Sequence, residues 1–173
     1  PDALPAEGTC EADTRILNEI REFFTFRPGQ PASVVKGPQT GMWGWLSTYP
    51  QAIYYADRNA HKAKQAEQIT VGVAMNHNYK LGQLSAMSGN FVMGRSYTHD
   101  NQTRYETEGK EASKWGYNFA EQFKYALETD PKMIFITGWN EWAMARIDGW
   151  PSGWEAEVPN AFCDQFNDEF SRD

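Results

Sequence analysis

The chain is poor in several features that would decide its class at once. It has two cysteines, Cys10 and Cys163, in 173 residues. They stand near opposite ends and lack metal-ligand spacing. A bridge between them would close one long loop, and one such pair does not make a disulfide framework. There are three histidines, widely spaced. That spacing excludes the usual His-based ligand patterns, so neither a metal nor another cofactor is expected. Cations are outnumbered: 16 Lys and Arg face 23 Asp and Glu, for a net charge of −7. Nucleic-acid binding needs clustered Lys and Arg to neutralise phosphates, so that class is disfavoured. Long apolar runs are also lacking. Stretches such as Met133 to Ile136 fall far short of the roughly 20 residues that span a bilayer, and no membrane partner is expected. No segment reads as a signal peptide, a phosphate-binding glycine loop or a nucleophile elbow.

Aromatic residues, in contrast, are plentiful. Seven Trp, eight Tyr and ten Phe make up 14% of the chain. Trp43, Trp45, Trp150 and Trp154 lie in turn-like stretches among Gly, Pro and polar residues. Aromatic rings on loops offer flat apolar faces that stack on sugar rings, although each could equally serve as rim packing.

Periodicity gives a coarse map. From Asp13, the residues Ile16, Leu17, Ile20, Phe23 and Phe24 follow one helical stripe, capped by Asp13 or Thr14, with a short strand over Phe23 to Arg27. Residues 28 to 41 read as a Pro- and Gly-rich loop, and Met42 to Tyr49 as a short strand. Ala60 to Glu67 reads as a short polar helix and Ile69 to Met75 as a buried strand. Residues 80 to 110 form a long polar loop. Glu111 to Glu128 reads as a helix with Trp115, Phe119, Phe123 and Leu127 on one face. Met133 to Thr137, apolar throughout, reads as a strand covered on both sides. Ala161 to Phe170 fits either helix or strand.

Helix, turn, buried strand and long polar loop make up half of a βα-barrel rhythm. The expected fold is α/β, of the (β/α)8 TIM-barrel type. Residues 1–173 would form a single partial domain, the C-terminal half to two-thirds of the barrel, because a whole barrel takes roughly 200 to 250 residues or more. Pro1 at the start and the small number of strands lead us to expect completion by a missing N-terminal segment, a companion chain or a symmetry partner.

In such barrels the active groups stand at the carboxyl ends of strands. Asn140 and Glu141 follow the Met133 to Thr137 strand, between Trp139 and Trp142. Apolar neighbours raise a carboxylic acid's pKa and suit it to general acid work. The plain alternative is a Glu that caps a helix or pairs with Arg146.

Thr137-Gly138-Trp139-Asn140-Glu141-Trp142 resembles the strand-end motif of the glycoside hydrolase family 71 and family 99 group. That resemblance implies a (β/α)8 barrel and endo-acting glycosidase chemistry, with Glu141 as the key carboxylate. In family 99 a second catalytic Glu stands three residues after the first. Here that position is Met144, so only Glu141 carries over. Glycosidases generally use two carboxyl groups; Asp100, Asp148, Glu155 and Glu157 are loop candidates for the second, with Asp100 preferred, and the expected missing N-terminal half is another source.

The segment Gly94 to Asp100 supplies Arg95, His99 and Asp100, a set able to bind sugar hydroxyls or move a proton. A solvated loop with an Arg–Asp pair is the bland alternative. Asn76 and His77 follow the Ile69 to Met75 strand and could contact substrate, and His77 could equally be a structural histidine. Trp43 and Trp45, two residues apart, would share a face on a strand and make a platform. The expected function is therefore a secreted or periplasmic glycosidase acting on an oligosaccharide or polysaccharide. Catalysis would fall to Glu141 and Asp100, and binding to Trp43, Trp45, Asn76, His77, Arg95, His99, Asn140 and Trp142. A carbohydrate-binding barrel without turnover is the alternative.

Overall fold

The computed structural model describes residues 11–32, 35–84, 91–100, 108–138, 146–147 and 161–162. Glu141, Asn140, Trp142, both cysteines and the other loop carboxylates at 148, 155 and 157 lie outside that set. The chain is a mixed α/β domain built on a four-stranded, mostly parallel sheet. Its strands are β1 (Pro38–Thr40), β2 (Ile53–Tyr55), β3 (Gln68–Gly72) and, last in space, a strand over Met133–Thr137. Before them comes helix α1 (Glu11–Phe23), and between β2 and β3 the short helix α2 (Arg58–Lys62). After β3 come β4 (Met75–Asn78), β5 (Gln83–Leu84) and β6 (Val92–Met93), in the order β5-β4-β6. A 3-10 turn over Gly109–Trp115 leads into helix α3 (Tyr117–Thr129), and then β7 (Met133–Thr137). A final antiparallel pair joins β8 (Arg146–Ile147) to β9 (Ala161–Phe162).

The β3–α3–β7 unit carries the fold. β3 and β7 pair in parallel from Gln68↔Met133 to Gly72↔Thr137, a connection that requires a crossover, and α3 supplies it. Ile69, Val71 and Ala126 form the buried centre, with Ile53, Phe119, Phe123, Tyr125 and Ile134 packed around them. The sheet departs from an all-parallel barrel at one step, because β2 runs antiparallel to β3. No closed barrel is formed among the described residues.

Several local expectations need correction. Phe23 to Arg27 is not a strand, since Phe23 ends α1 and the rest is irregular, and Met42 to Tyr49 contributes only a single bridge, Gly29↔Trp43. A side chain takes over the role of a strand there. The Gln68 amide donates to the Gly44 carbonyl and accepts from the Gly44 N–H, both at 3.0 Å. Gly44 is needed because a Cβ at that position would overlap the Tyr54 ring. The expected Ile69 to Met75 strand divides into β3 and β4 on either side of Val73. The expected Glu111 to Glu128 helix breaks at Gly116, whose φ of 62° is left-handed.

The register of α3 is also rotated from the aromatic stripe. Trp115 and Leu127 are exposed, and the buried positions are Asn118, Gln122 and Ala126. Polar side chains win here because they satisfy strand and loop backbone that has no ladder partner. Gln122 Oε1 accepts the Gly72 N–H at 2.7 Å and Nε2 donates to Ser47 O at 3.2 Å. The Gln122 carbonyl in turn accepts from Gln51 Nε2 at 2.9 Å. Asn118 Nδ2 donates to the carbonyls of Gly72 and Val73. The stripe of α1 is likewise not buried: Ile16, Phe23 and Phe24 are exposed. β7 has the expected limits, but among the described residues its only partner is β3, and Phe135 and Ile136 are 46% and 41% exposed.

Gln122→Leu keeps the volume but leaves the Gly72 N–H and the Ser47 carbonyl buried without partners. We expect a loss of about 2–4 kcal/mol, read as a lower urea midpoint. A midpoint equal to the parent's would refute the role given to Gln122.

Candidate functional site

Strand directions divide the sheet into two ends with different chemistry. β3 and β7 finish together at Gly72 and Thr137. β2 is antiparallel to β3, and β1 is parallel to β2, so both of these strands begin at the end where β3 and β7 stop. That end gathers Lys36, just before β1; Gln51, just before β2; Thr137 on β7; and β4 with Asn76 and His77. The opposite end holds the start of β3, where Glu67 receives two bonds from Arg27 at 2.9 and 3.0 Å and one from Trp43 Nε1 at 3.1 Å.

This geometry separates residues that the sequence had grouped. Trp43 is tied to Glu67 at the amino end of β3, away from His77, and its indole N–H is already engaged. Trp45 lies two residues on, 49% exposed, with its backbone N–H on Gln30 Oε1. The shared strand face that would have made them a platform is not formed, because segment 42–49 is not a strand.

The Gly94 to Asp100 loop does reach the carboxyl end of β3. The Arg95 carbonyl accepts from Asn118 N at 3.1 Å, and the Asn118 side chain bonds the Gly72 carbonyl. His99 is exposed on the flank of α3, where its backbone N–H donates to both Glu121 carboxylate oxygens. Its ring lies 5.4 Å from that of Tyr49, which also meets Tyr125 at 5.6 Å. Asp100 is exposed beside it.

His77 has the most unusual environment at this end. It is 1% exposed, on β4 opposite Leu84, and neither ring nitrogen has a hydrogen-bond partner among the described residues. Burial, with a smaller push from the positive charge of Lys36, lowers its pKa from 6.5 to about 4. The imidazole is therefore neutral at physiological pH, with one donor and one acceptor available. Gln51 Oε1 and Thr137 Oγ1 are also buried without partners among the described residues. The Lys36 ammonium is held on Thr48 by bonds to Oγ1 at 2.5 Å and to the carbonyl at 3.4 Å, and burial lowers its pKa too.

Comparison with protein-family models, with curated proteins and with solved structures finds no match to this chain.

The resemblance of the Thr137 to Trp142 segment to the family 71 and 99 group thus rests on its own residues. No three His, Cys, Asp or Glu side chains gather as a metal site among the described residues. Nor is any helix among them long and apolar enough to cross a membrane. Sequence reasoning overlooked Lys36, Thr48 and Gln51. Each lies in an irregular stretch without periodicity, and only the antiparallel turn of β2 against β3 brings them to this end.

Two outcomes follow. The folded imidazole of His77 stays neutral down to about pH 4, while the unfolded one takes up a proton near 6.5. Between these values the unfolded state binds more protons, so stability falls as pH drops through this window and the loss levels off below it. His77→Gln should remove on the order of 3 kcal/mol of that acid-dependent loss, measured as urea midpoints at pH 7, 5.5 and 4.5; identical pH slopes in the two proteins would contradict it. Trp43→Phe removes the indole N–H that Glu67 accepts and should lower stability by about 1 kcal/mol, read as a lower urea midpoint; an unchanged midpoint would refute that role.

Proposed function

We propose that this chain forms part of a (β/α)-barrel glycoside hydrolase that cleaves a polysaccharide or glycan, with Glu141 as its key carboxylate. The observation that carries this reading is the in-register parallel pair β3–β7. Two such strands send their following segments out at one end, where barrel enzymes keep their active groups. Asn76 and His77 follow β3, and Asn140 and Glu141 follow β7. Glu141 is four residues past Thr137, so the length of the chain alone keeps it within about 14 Å of that residue. The polar floor at this end, with its neutral imidazole, suits a ligand rich in hydroxyl groups.

Among the described residues β7 pairs with β3 alone, and with the exposed Phe135 and Ile136 this also favours a barrel reading, since further strands would cover them. Asp100, on the loop that reaches α3, remains the preferred second carboxylate. Arg95, His99, Asn140 and Trp142 would contact the glycan around it. A secreted or periplasmic location goes with a polysaccharide substrate.

Met144 supports a second reading. It occupies the position of the family's second catalytic Glu, and a methionine can neither accept a proton nor attack a glycosidic carbon. The chain would then be a carbohydrate-binding barrel protein without turnover.

Glu141→Gln preserves shape and removes the charge. We expect turnover of a responsive glycan to fall at least about a thousandfold, with glycan affinity retained. Undiminished turnover removes Glu141 from catalysis. A parent protein that binds glycans from a broad panel but hydrolyses none selects the binding reading.

A further inference from the structure

Three aromatic side chains meet on the flank of α3. The Tyr49 ring is central, 5.4 Å from His99 at an interplanar angle of 46° and 5.6 Å from Tyr125 at 71°. His99 is exposed, and Tyr49 and Tyr125 are half-buried, so all three are reachable from solvent.

Each ring is held from a different direction. Tyr125 stands on α3 and packs in part against the core around Ile69 and Val71. One turn earlier on the same helix, Glu121 accepts the His99 backbone N–H on both carboxylate oxygens, at 3.0 and 3.1 Å. That contact fixes the loop end that carries the imidazole. Tyr49 lies in a stretch fastened to α3 on both sides of it. Gln122 Nε2 donates to the Ser47 carbonyl at 3.2 Å, and Gln51 Nε2 donates to the Gln122 carbonyl at 2.9 Å. The rings are thus set before a ligand arrives, which lowers the ordering cost of binding.

The edges of the group narrow what fits it. The other exposed aromatic group, Phe23, Phe24 and Phe26, is hydrocarbon throughout. Here two phenol hydroxyls and an imidazole border the ring faces, and none of the three makes a side-chain hydrogen bond among the described residues. A sugar ring carries the complementary pair of features. Its C–H faces lie on aromatic rings, and its hydroxyls bond to polar groups around them.

We propose that Tyr49, His99 and Tyr125 form a subsite on which a neutral sugar ring of the glycan stacks. This rests on the glycan reading above and adds Tyr49 and Tyr125 to the residues that contact the glycan. The preference for a neutral sugar follows from charge. The Glu121 carboxylate holds His99, Asp100 follows it in the chain, and the nearest lysine on α3, Lys124, is turned to Glu128. A sugar carboxylate placed there would meet like charge.

The test measures binding of the whole chain to hexasaccharides of glucose, mannose, galactose and xylose by calorimetry, and takes the tightest as the probe. His99→Ala and Tyr49→Ala should each weaken that affinity about fivefold. Tyr49→Phe keeps the ring and should cost about twofold. His99 is exposed and its bond to Glu121 is made by the backbone, so His99→Ala leaves the fold intact, and urea midpoints check this for the Tyr49 variants. A glucuronate-containing counterpart of the probe should bind no more tightly than the probe itself. Unchanged affinity in His99→Ala, or tighter binding of the acidic sugar, overturns the subsite and leaves the glycan reading standing. Failure of the parent to bind any of the sugars overturns both.

Discussion

The parallel pairing of Gln68–Gly72 with Met133–Thr137 is the constraint on which the other elements depend. Parallel strands cannot be joined by a tight turn, so the chain must travel through α3 to return. That helix packs Phe119, Phe123 and Ala126 against Ile69 and Val71, and its amide side chains add hydrogen bonds. Gln122 and Asn118 reach the Gly72 and Val73 backbone just where the ladder ends. A strand end has unsatisfied N–H and C=O groups, and covering them with apolar side chains would leave those groups unbonded. Amides meet them, fix the height of α3 on the sheet, and define where β3 stops and β4 starts.

The same pairing sets up a difference between the two ends of the sheet. At the amino end of β3 the Glu67 carboxylate is held on both oxygens. Arg27 holds Glu67 through two bonds, Trp43 adds a third, and the Glu67 backbone bonds both Tyr54 and Met133. At the carboxyl end His77, Gln51 and Thr137 have polar atoms without partners, and Lys36 lacks a counter-charge among the described residues. Leaving such groups open costs free energy. The two ends of one sheet thus differ in how far their polar groups are matched among the described residues.

The part of the fold legible in the sequence was the part governed by local pattern. Met133–Thr137 could be read because five apolar or β-branched residues in a row, bounded by Asp130-Pro131 and Gly138, fit little else. α1 and most of α3 were legible from their periodicity. The inward face of α3 was legible only in part: Phe119 and Phe123 do pack against the core, while Trp115 and Leu127 are exposed. An aromatic stripe through Trp115, Phe119, Phe123 and Leu127 predicts burial by hydrophobicity, while the observed face is set by hydrogen bonds from residues 118 and 122 to a strand some 50 positions away. Nothing in the spacing of an Asn and a Gln announces such a bond. Trp43 failed for a related reason: its neighbour Gly44 is captured by the side chain of Gln68, which takes the place of a strand.

By itself, then, the sequence determined the class of the chain, the position of its clearest strand, and the presence of Asn76-His77 and Asn140-Glu141 just beyond two strands. These follow from composition, from side-chain shape and from covalent order, all of which are local. Only the tertiary structure decided that Lys36, Thr48 and Gln51 join His77 at one end of the sheet while Trp43 goes to the other. That choice depends on the direction in which β1 and β2 run against β3. Strand direction is a property of long-range pairing, and a short strand such as Pro38–Thr40 carries too few residues to encode it locally.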